Sequence, residues 1–198
     1  MWFNGDSTFT LAVQTFNNAS AAMVEFPNSK SNAEPRVLLN SEQVSKEEIQ
    51  LIISNIRSRC SLGLALVMFD AADLSWVNER AVEHGITPLR SDEVYVVDPR
   101  VVDRFADSYR AGASKNTLWE LAEIYGVQLP KERTILRRAI IVDELAKRMA
   151  RLYVPDMQVE VETLTSLQRI WQKRWADSRN EWMSARGYSA KAKPSFPF

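Results

Sequence analysis

The sequence predicts an α/β fold in which a mixed sheet is flanked by helices, with a C-terminal helical extension. Three observations predict it. Segments rich in β-branched and aromatic residues open the chain, apolar strand-like runs then alternate with helical patterns, and helical patterns alone fill the last third. A meander that leads into βαβ units gives a mixed sheet with helices on its faces. We expect residues 1–155 to form the α/β domain and residues 156–198 to form a helix and tail packed on it.

Three strands are predicted before the first helix. Residues 8–16 and 21–26 flank the polar residues 17–20 and predict a β-hairpin, because both are rich in β-branched and aromatic side chains. Residues 27–35 are rich in Pro, Asn and Ser and predict a loop, and residues 37–39 predict a third strand.

The first helix is predicted from a capping box formed by Ser45 and Glu48. The continuous apolar run 64–69 then predicts a strand that is covered on both faces. The apolar face of the helix consists of Ile49, Ile52, Ile53 and Ile56.

A second helix is expected over 74–83, with Asp73 as its N-cap and His84-Gly85 at its end, followed by a strand over 94–97. The remaining helices are expected over 99–107, 116–125, 131–152 and 160–185, before an irregular tail. The last helix carries an apolar stripe, which is typical of a helix packed on a domain. Its members are Leu164, Leu167, Trp171, Trp175 and Trp182.

The composition is that of a soluble globular protein, with 45% hydrophobic and 25% charged residues among 198. Cys60 is the only cysteine and His84 the only histidine, which excludes an intramolecular disulfide, zinc ribbons and histidine-cluster metal sites. We expect Cys60 to be a small buried residue.

No signal-peptide pattern opens the chain and no apolar run approaches the roughly 20 residues that span a bilayer. We therefore expect a cytoplasmic protein without a membrane partner.

The net charge of zero hides an asymmetry. Residues 1–130 contain 11 Lys and Arg against 17 Asp and Glu, a net charge of −6. Residues 131–198 contain 14 against 8, a net charge of +6. Such an asymmetry indicates either a nucleic-acid partner or two parts of the chain that attract one another.

Several blocks of sequence together resemble a known family. They are residues 64–85 (LALVMFDAADLSWVNERAVEHG), 96–110 (VVDPRVVDRFADSYR) and 117–127 (TLWELAEIYGV). Their order and spacing resemble the proofreading-type 3′–5′ exonucleases, the epsilon-subunit and ribonuclease T groups of the ribonuclease-H-like superfamily. Residues 159–182 and the terminal Phe196-Pro197-Phe198 resemble the C-terminal extension of some actinobacterial members. The resemblance implies a ribonuclease-H-like mixed sheet.

The family's reaction needs four carboxylates, two Mg²⁺ or Mn²⁺ ions and a histidine that deprotonates water. The resemblance places its first motif, Asp-x-Glu-Thr, on residues 12–15 (AVQT), which lack both carboxylates. The second motif retains Asp73, and Asp70 stands at its Asn position. The third motif, His-x-x-x-x-Asp, falls near Arg133 and Arg138, so one of the four expected carboxylates is present.

Arg133, Arg137 and Arg138 would also repel two dications. We therefore predict a catalytically inactive exonuclease-like protein without a cofactor, in which Asp73 is the vestigial catalytic residue. Its predicted role is that of a binding or regulatory module for a protein or nucleic-acid partner, and a phage origin is a further hypothesis. The alternative is an active 3′–5′ exonuclease that uses Mg²⁺ or Mn²⁺ at a displaced site. That site would consist of Asp70, Asp73, Asp98 and Asp143.

Two of these features also have a purely structural interpretation. Asp70 and Asp73 could be a residual metal pair, but the position after a strand favours a turn residue and a helix cap. His84 stands at a helix end, where it favours interaction with the helix dipole over a role as catalytic base.

The last predicted helix also carries the candidate residues for binding nucleic acid or a protein partner: Arg169, Lys173, Arg174 and Arg179. Cations interleaved with tryptophans suit single-stranded nucleic acid, through phosphate contacts and base stacking. The tryptophans share the face of the leucines, however, which favours core packing with the cations as a solvated outer face. Exposed tryptophans would indicate a protein partner, because Trp and Arg dominate binding hot spots.

Overall fold

One mixed sheet organises the computed structural model of the chain. The structure describes residues 8–14, 19–27, 34–70, 72–107, 117–153, 159–189 and 191–198. The strands are β1 (Thr8–Gln14), β2 (Ser20–Phe26), β3 (Arg36–Ser41), β4 (Ala65–Val67) and β5 (Val96–Val97), in the order β3-β2-β1-β4-β5.

The pairing directions divide the sheet into two parts. β1 and β2 form the predicted antiparallel hairpin, and β3 pairs antiparallel to β2 with a register shift between Met23 and Val24. β4 lies parallel to β1, and β5 lies parallel to β4. The carboxyl ends of β1, β4 and β5 therefore meet at one edge of the sheet, called the carboxyl edge below. The predicted α/β fold, a mixed sheet flanked by helices with a C-terminal helical extension, is confirmed.

The helices are α1 (Lys46–Ser61), α2 (Ala72–Glu83), α3 (Pro99–Ala106), α4 (Leu118–Ile124), α5 (Ile135–Leu152) and α6 (Val161–Ser184). The predicted capping box of α1 is present: the Glu48 N–H donates to the Ser45 hydroxyl, and the Ser45 N–H donates to the Glu48 carboxylate at 2.7 Å. A second capping box, formed by Thr117 and Glu120, opens α4. Most of the predicted loop 27–35 lies outside the described residues.

Helices cover both faces of the sheet. Successive side chains of a strand point to opposite faces, and β1 is buried at six consecutive positions, so both of its faces are covered. On one face, the four isoleucines predicted for α1 are buried against Phe9 and Leu11 of β1. On the other face, Ile135 and Ala139 of α5 pack against Ala12. The protein thus has a core on each side of β1.

α6 closes the outer edge of β5 with two buried polar side chains. The Thr165 hydroxyl accepts a hydrogen bond from the Val96 N–H at 3.0 Å. Gln168 donates to the Val96 carbonyl at 2.7 Å and accepts from the Asp98 N–H at 2.8 Å. These bonds fix the C-terminal extension to the sheet, because the edge of a strand otherwise leaves its backbone groups unpaired.

Two predictions about individual residues are wrong. Asp73 does not cap α2: the helix begins at Ala72, so Asp73 lies in its first turn, where its N–H donates to the Asp70 carbonyl at 3.0 Å. The apolar stripe of α6 is only partly buried, because Leu164 has no exposed surface whereas Trp182 is 49% exposed. The most exposed member of the stripe, Trp182, lies near the C-terminal end of α6.

Among the described helices, none combines the length and the apolar character needed to cross a bilayer.

Candidate functional site

Three carboxylates gather at the carboxyl edge, as the resemblance implied for Asp73. Asp70 follows β4, Asp73 lies in the first turn of α2, and Asp98 follows β5. Asp70 adopts a positive φ of 79°, a conformation that aspartate tolerates better than most residues and that turns the chain sharply from strand to helix. The charge of Asp70 raises the pKa values of Asp73 and Asp98, and the charge of Asp98 raises that of Asp73.

Asp73 faces the end of β1. Burial is the main cause that raises the pKa of its carboxyl to about 7, and the charges of Asp70 and Asp98 raise it further. The positive charge of Arg138 and a hydrogen bond from the Val13 backbone lower it. Its Oδ2 atom is buried without a hydrogen-bond partner. The carboxyl is therefore poised between its neutral and charged forms near neutral pH.

Asp70 and Asp98 are engaged by α3. The Arg100 guanidinium lies 2.5 Å from the Asp70 carboxylate. Asp98 is the N-cap of α3 and accepts a hydrogen bond from the Arg100 N–H at 2.8 Å. Burial and the charge of Asp70 raise the pKa of Asp98 to about 6, against the lowering effect of that hydrogen bond and of Arg100 and Arg104. One residue of α3 thus holds both carboxylates.

Arg104 adds a second cation next to this pair. Its guanidinium lies 3.6 Å from the ring centroid of Trp175 and 3.3 Å from the Gln172 side-chain oxygen. Burial and the charge of Arg100 lower the pKa of Arg104 to about 10, so it stays charged at neutral pH. Its Nε is buried without a hydrogen-bond partner, as is that of Arg100.

A small cleft of about 70 Å³ lies between these groups and the C-terminal tail, residues 191–198. The tail is held on α6 by two hydrogen bonds between Asn180 and Ala192 and by one from Gln172 to the Lys193 carbonyl. Phe196 is buried in the core, and it lines the cleft together with Asp70 and Asp98. The tail therefore covers part of the carboxyl edge.

The arginines of the third motif do not all reach the site. Arg138, on α5, acts electrostatically on Asp73. Arg133 lies instead over the Trp119 ring, at 5.0 Å from its centroid, and Arg137 is exposed on the first turn of α5. Of these three arginines, Arg138 is the one that acts on a carboxylate of the carboxyl edge.

Asp143 lies apart from the three other carboxylates of the displaced site. It accepts a hydrogen bond from the Thr8 hydroxyl at 2.6 Å and pairs with Lys147 at 2.6 Å. Thr8 begins β1, so Asp143 is at the opposite edge of the sheet, roughly 20 Å from the end of that strand. Burial raises the pKa of its carboxyl. The four-carboxylate site is not assembled.

His84 and Cys60 have the structural placements that were predicted. His84 is exposed in the turn that ends α2 and lies about one helix length from the carboxyl edge, where α2 begins. Cys60 is 2% exposed in the core, and burial raises the pKa of its thiol to about 11. Neither residue lies at the carboxyl edge.

The basic residues predicted on α6 fall into different environments. Arg169 donates to the Ser91 carbonyl at 2.6 Å, and Lys173 pairs with Asp177 at 2.6 Å. Arg179 lies over the Trp175 ring at 5.7 Å, and Arg174 is exposed. They do not form one continuous patch, because Arg174 lies on the far side of α6 from Arg179.

The donor set does not fit a pair of divalent cations. Such ions need several negatively charged oxygen ligands within one small site. Here Asp70 is paired with Arg100, Asp98 caps α3, and Asp73 faces Arg138. In the part of the chain that the structure describes, no group of three or more His, Cys, Asp or Glu side chains is arranged to hold a metal ion.

Sequence reasoning missed Arg100 and Arg104. The sequence does contain a pattern that predicts their position. Asp98-Pro99 predicts a helix start, and Arg100 and Arg104, four residues apart, then lie on one face of that helix. The bonds of Gln168 to the backbone of β5 could also have been inferred, because Gln168 is a polar residue on the apolar face of α6.

The fold and this edge define an α/β protein with a five-stranded mixed sheet. No family model and no curated protein matches the sequence. Among solved structures, Thermus thermophilus RuvC matches with 16% identity and a TM-score of 0.32, covering 74% of this chain and 98% of RuvC. T. thermophilus RuvC in complex with a Holliday junction substrate matches with 15% identity and a TM-score of 0.30, covering 74% and 96%.

Proposed function

We propose that this chain is a catalytically inactive exonuclease-like protein that acts as a binding module. One observation carries the proposal: at the carboxyl edge, where a nuclease of this fold would need metal ions, the Arg100 guanidinium contacts the carboxylate of Asp70. The Arg100–Asp70 contact of 2.5 Å neutralises the charge of that carboxylate, so a cation that binds there has to compete with the arginine.

Electrostatics supports the same conclusion for Asp73. Its raised pKa means that a large fraction of this carboxyl is protonated at neutral pH, and a protonated carboxyl is a poor ligand for a hard dication. Nearby positive charge opposes a dication further. The C-terminal tail also lines the cleft beside Asp70 and Asp98, which restricts access to this edge.

Titration of the full chain with MnCl₂ by calorimetry tests this proposal. We expect no saturable binding below millimolar concentrations for the wild type or for Asp73→Asn. Binding at micromolar concentrations that Asp73→Asn abolishes would contradict the proposal, because the carboxyl edge would then hold the metal. Asp143→Asn is the control for a buried carboxylate at the opposite edge of the sheet.

The second candidate is an active exonuclease with a displaced site. It keeps support from the three carboxylates that the carboxyl edge brings together. It loses its fourth ligand, since Asp143 bonds to Thr8. The inactive binding module is the function that the geometry supports best.

A further inference from the structure

α6 and the turn that follows it contain two tryptophan–arginine pairs, and the ring of Trp175 also contacts Arg104, whose Cζ lies 3.6 Å from the ring centroid. Arg179 lies over Trp175 with its Cζ 5.7 Å from the ring centroid, and Arg186 lies over Trp182 at 4.1 Å. Within each pair the arginine follows four residues after the tryptophan, and the pairs are seven residues apart. Residues seven apart occupy nearly the same face of a helix, about 10 Å along its axis. We call Trp175, Arg179, Trp182 and Arg186, with Tyr188, the Trp–Arg surface.

The outer part of this surface is open to solvent. Trp182 is 49% exposed and Tyr188 is 56% exposed, and their rings lie nearly parallel, at 13°, with centroids 6.2 Å apart. The structure gives neither Arg179 nor Arg186 an ion pair with a carboxylate among the residues it describes. A guanidinium that lies over an indole still has N–H groups at its rim, where they can bind a phosphate.

The local charge fits a polyanion. From residue 179 onward the side chains include one carboxylate, Glu181, and a net charge of +3. The cations are Arg179, Arg186, Lys191 and Lys193. A surface that binds an apolar protein partner is expected to present its aromatic rings within an apolar patch. In this protein, cations border the exposed rings instead.

We propose that the Trp–Arg surface binds single-stranded nucleic acid, with Arg179 and Arg186 on phosphates and with bases stacked on Tyr188 and Trp182. This assignment rests on the proposed function, because it identifies the partner of the binding module. The chemistry is that of proteins which combine backbone cations with aromatic platforms. The surface lies on the C-terminal extension and does not require the carboxyl edge.

The test is fluorescence anisotropy of a labelled 15-nucleotide oligothymidine with the full chain in EDTA, over a range of salt concentrations. Arg179→Gln/Arg186→Gln should weaken binding about tenfold or more and lower the slope of log affinity against log salt by roughly 1.4, since about 0.7 counterions are released per phosphate on a single strand. Arg174→Gln is the matched control, because it removes one exposed cation from the opposite face of α6. It should change the affinity less than twofold.

A second variant isolates stacking. Tyr188→Leu should weaken oligothymidine binding about fivefold or more without changing the salt slope, since loss of one base–aromatic stack costs affinity but no phosphate contact. Tyr188 is 56% exposed, so its replacement leaves the core packing unchanged, and circular dichroism checks that the fold is intact.

The proposal is overturned if the wild type does not bind the oligonucleotide, which is the result expected of a surface that binds a protein instead. It is overturned likewise if Arg174→Gln weakens binding as much as the double variant. It is also overturned if Tyr188→Leu has no effect. Parallel samples with MnCl₂ instead of EDTA report on the proposed function separately, because degradation of the strand would contradict inactivity while leaving the EDTA binding result intact.

Discussion

The Arg100 guanidinium lies 2.5 Å from the Asp70 carboxylate at the carboxyl edge of the sheet. Arg100 is in the first turn of α3, and its backbone N–H also donates to Asp98. The same residue therefore engages the carboxylate after β4 through its side chain and the carboxylate after β5 through its backbone. The positive charge of Arg100 thus offsets negative charge at the carboxyl edge that could otherwise attract cations.

Removing the Arg100 side chain is expected to increase the affinity of the carboxyl edge for divalent cations. Arg100→Ala leaves the charge of Asp70 without this partner, and we expect Mn²⁺ to bind roughly tenfold more tightly than to the wild type by calorimetry. Arg80→Ala is the control, because Arg80 forms an exposed ion pair with Glu83 at the far end of α2. Equal Mn²⁺ affinities for the wild type and Arg100→Ala would show that Arg100 does not oppose the metal.

The raised pKa of Asp73 predicts a pH-dependent cost to folding. Between its usual pKa near 4 and its folded pKa of about 7, the unfolded chain has lost the proton that the folded chain keeps. The free energy of unfolding therefore falls as pH rises through this window, and the loss is complete above pH 7. Asp73→Asn removes the titrating group and should stabilise the protein by about 1–3 kcal/mol at pH 8.

The measurement is urea denaturation of the wild type and Asp73→Asn at pH 5 and pH 8. The stability difference between the two proteins should be larger at pH 8. A difference that does not change with pH would mean that the carboxyl of Asp73 is not shifted upward. Asp92→Asn is the control, because Asp92 is an exposed carboxylate whose pKa is lowered by its bond to Arg90.

Gln168 should contribute strongly to stability, because it satisfies two backbone groups at the closed edge of β5. Gln168→Leu leaves the Val96 carbonyl without this donor and the Asp98 N–H without its acceptor. The Val96 carbonyl keeps the Thr165 hydroxyl as a donor at 3.2 Å, so one buried group is left unpaired and we expect a loss of about 1–3 kcal/mol in the free energy of unfolding. Denaturant titration should show less than about 0.5 kcal/mol for the exposed control Gln50→Leu.

The tail should behave as part of the core. Phe196 is 6% exposed and belongs to the core that contains the isoleucines of α1 and the buried apolar residues of α2. Phe196→Ala should therefore cost about 3 kcal/mol in the free energy of unfolding. Phe105→Ala is a control for an aromatic ring that is 48% exposed and stacks on Trp171 at 3.9 Å. It should cost less. A Phe196→Ala protein as stable as the wild type would show that the tail is dispensable for folding.

The fold could be predicted because its signals are local. The capping box at Ser45 and Glu48, the uninterrupted apolar run of β4 and the isoleucine face of α1 each depend on neighbouring residues only. The irregular tail gave no such signal for the burial of Phe196, because its burial depends on contacts with distant parts of the chain. The division of the chain at residues 155 and 156 stays a prediction.

The site was harder to predict because it depends on pairing between elements. The sequence placed Asp70, Asp73 and Asp98 at strand ends, which the parallel order of β4 and β5 brings to one edge. It did not reveal that Asp143 lies at the opposite edge, since this depends on α5 running back along β1 to Thr8. Nor did the spacing alone distinguish Arg138, which acts on Asp73, from Arg133, which lies over Trp119.

The central claim is that the carboxyl edge does not hydrolyse nucleic acid. Its most direct test is incubation of the purified wild type and Asp73→Ala with a labelled single strand and MnCl₂, followed by separation of the products by size. The account predicts that the strand stays intact with both proteins. Stepwise shortening of the strand by the wild type that disappears in Asp73→Ala would contradict it.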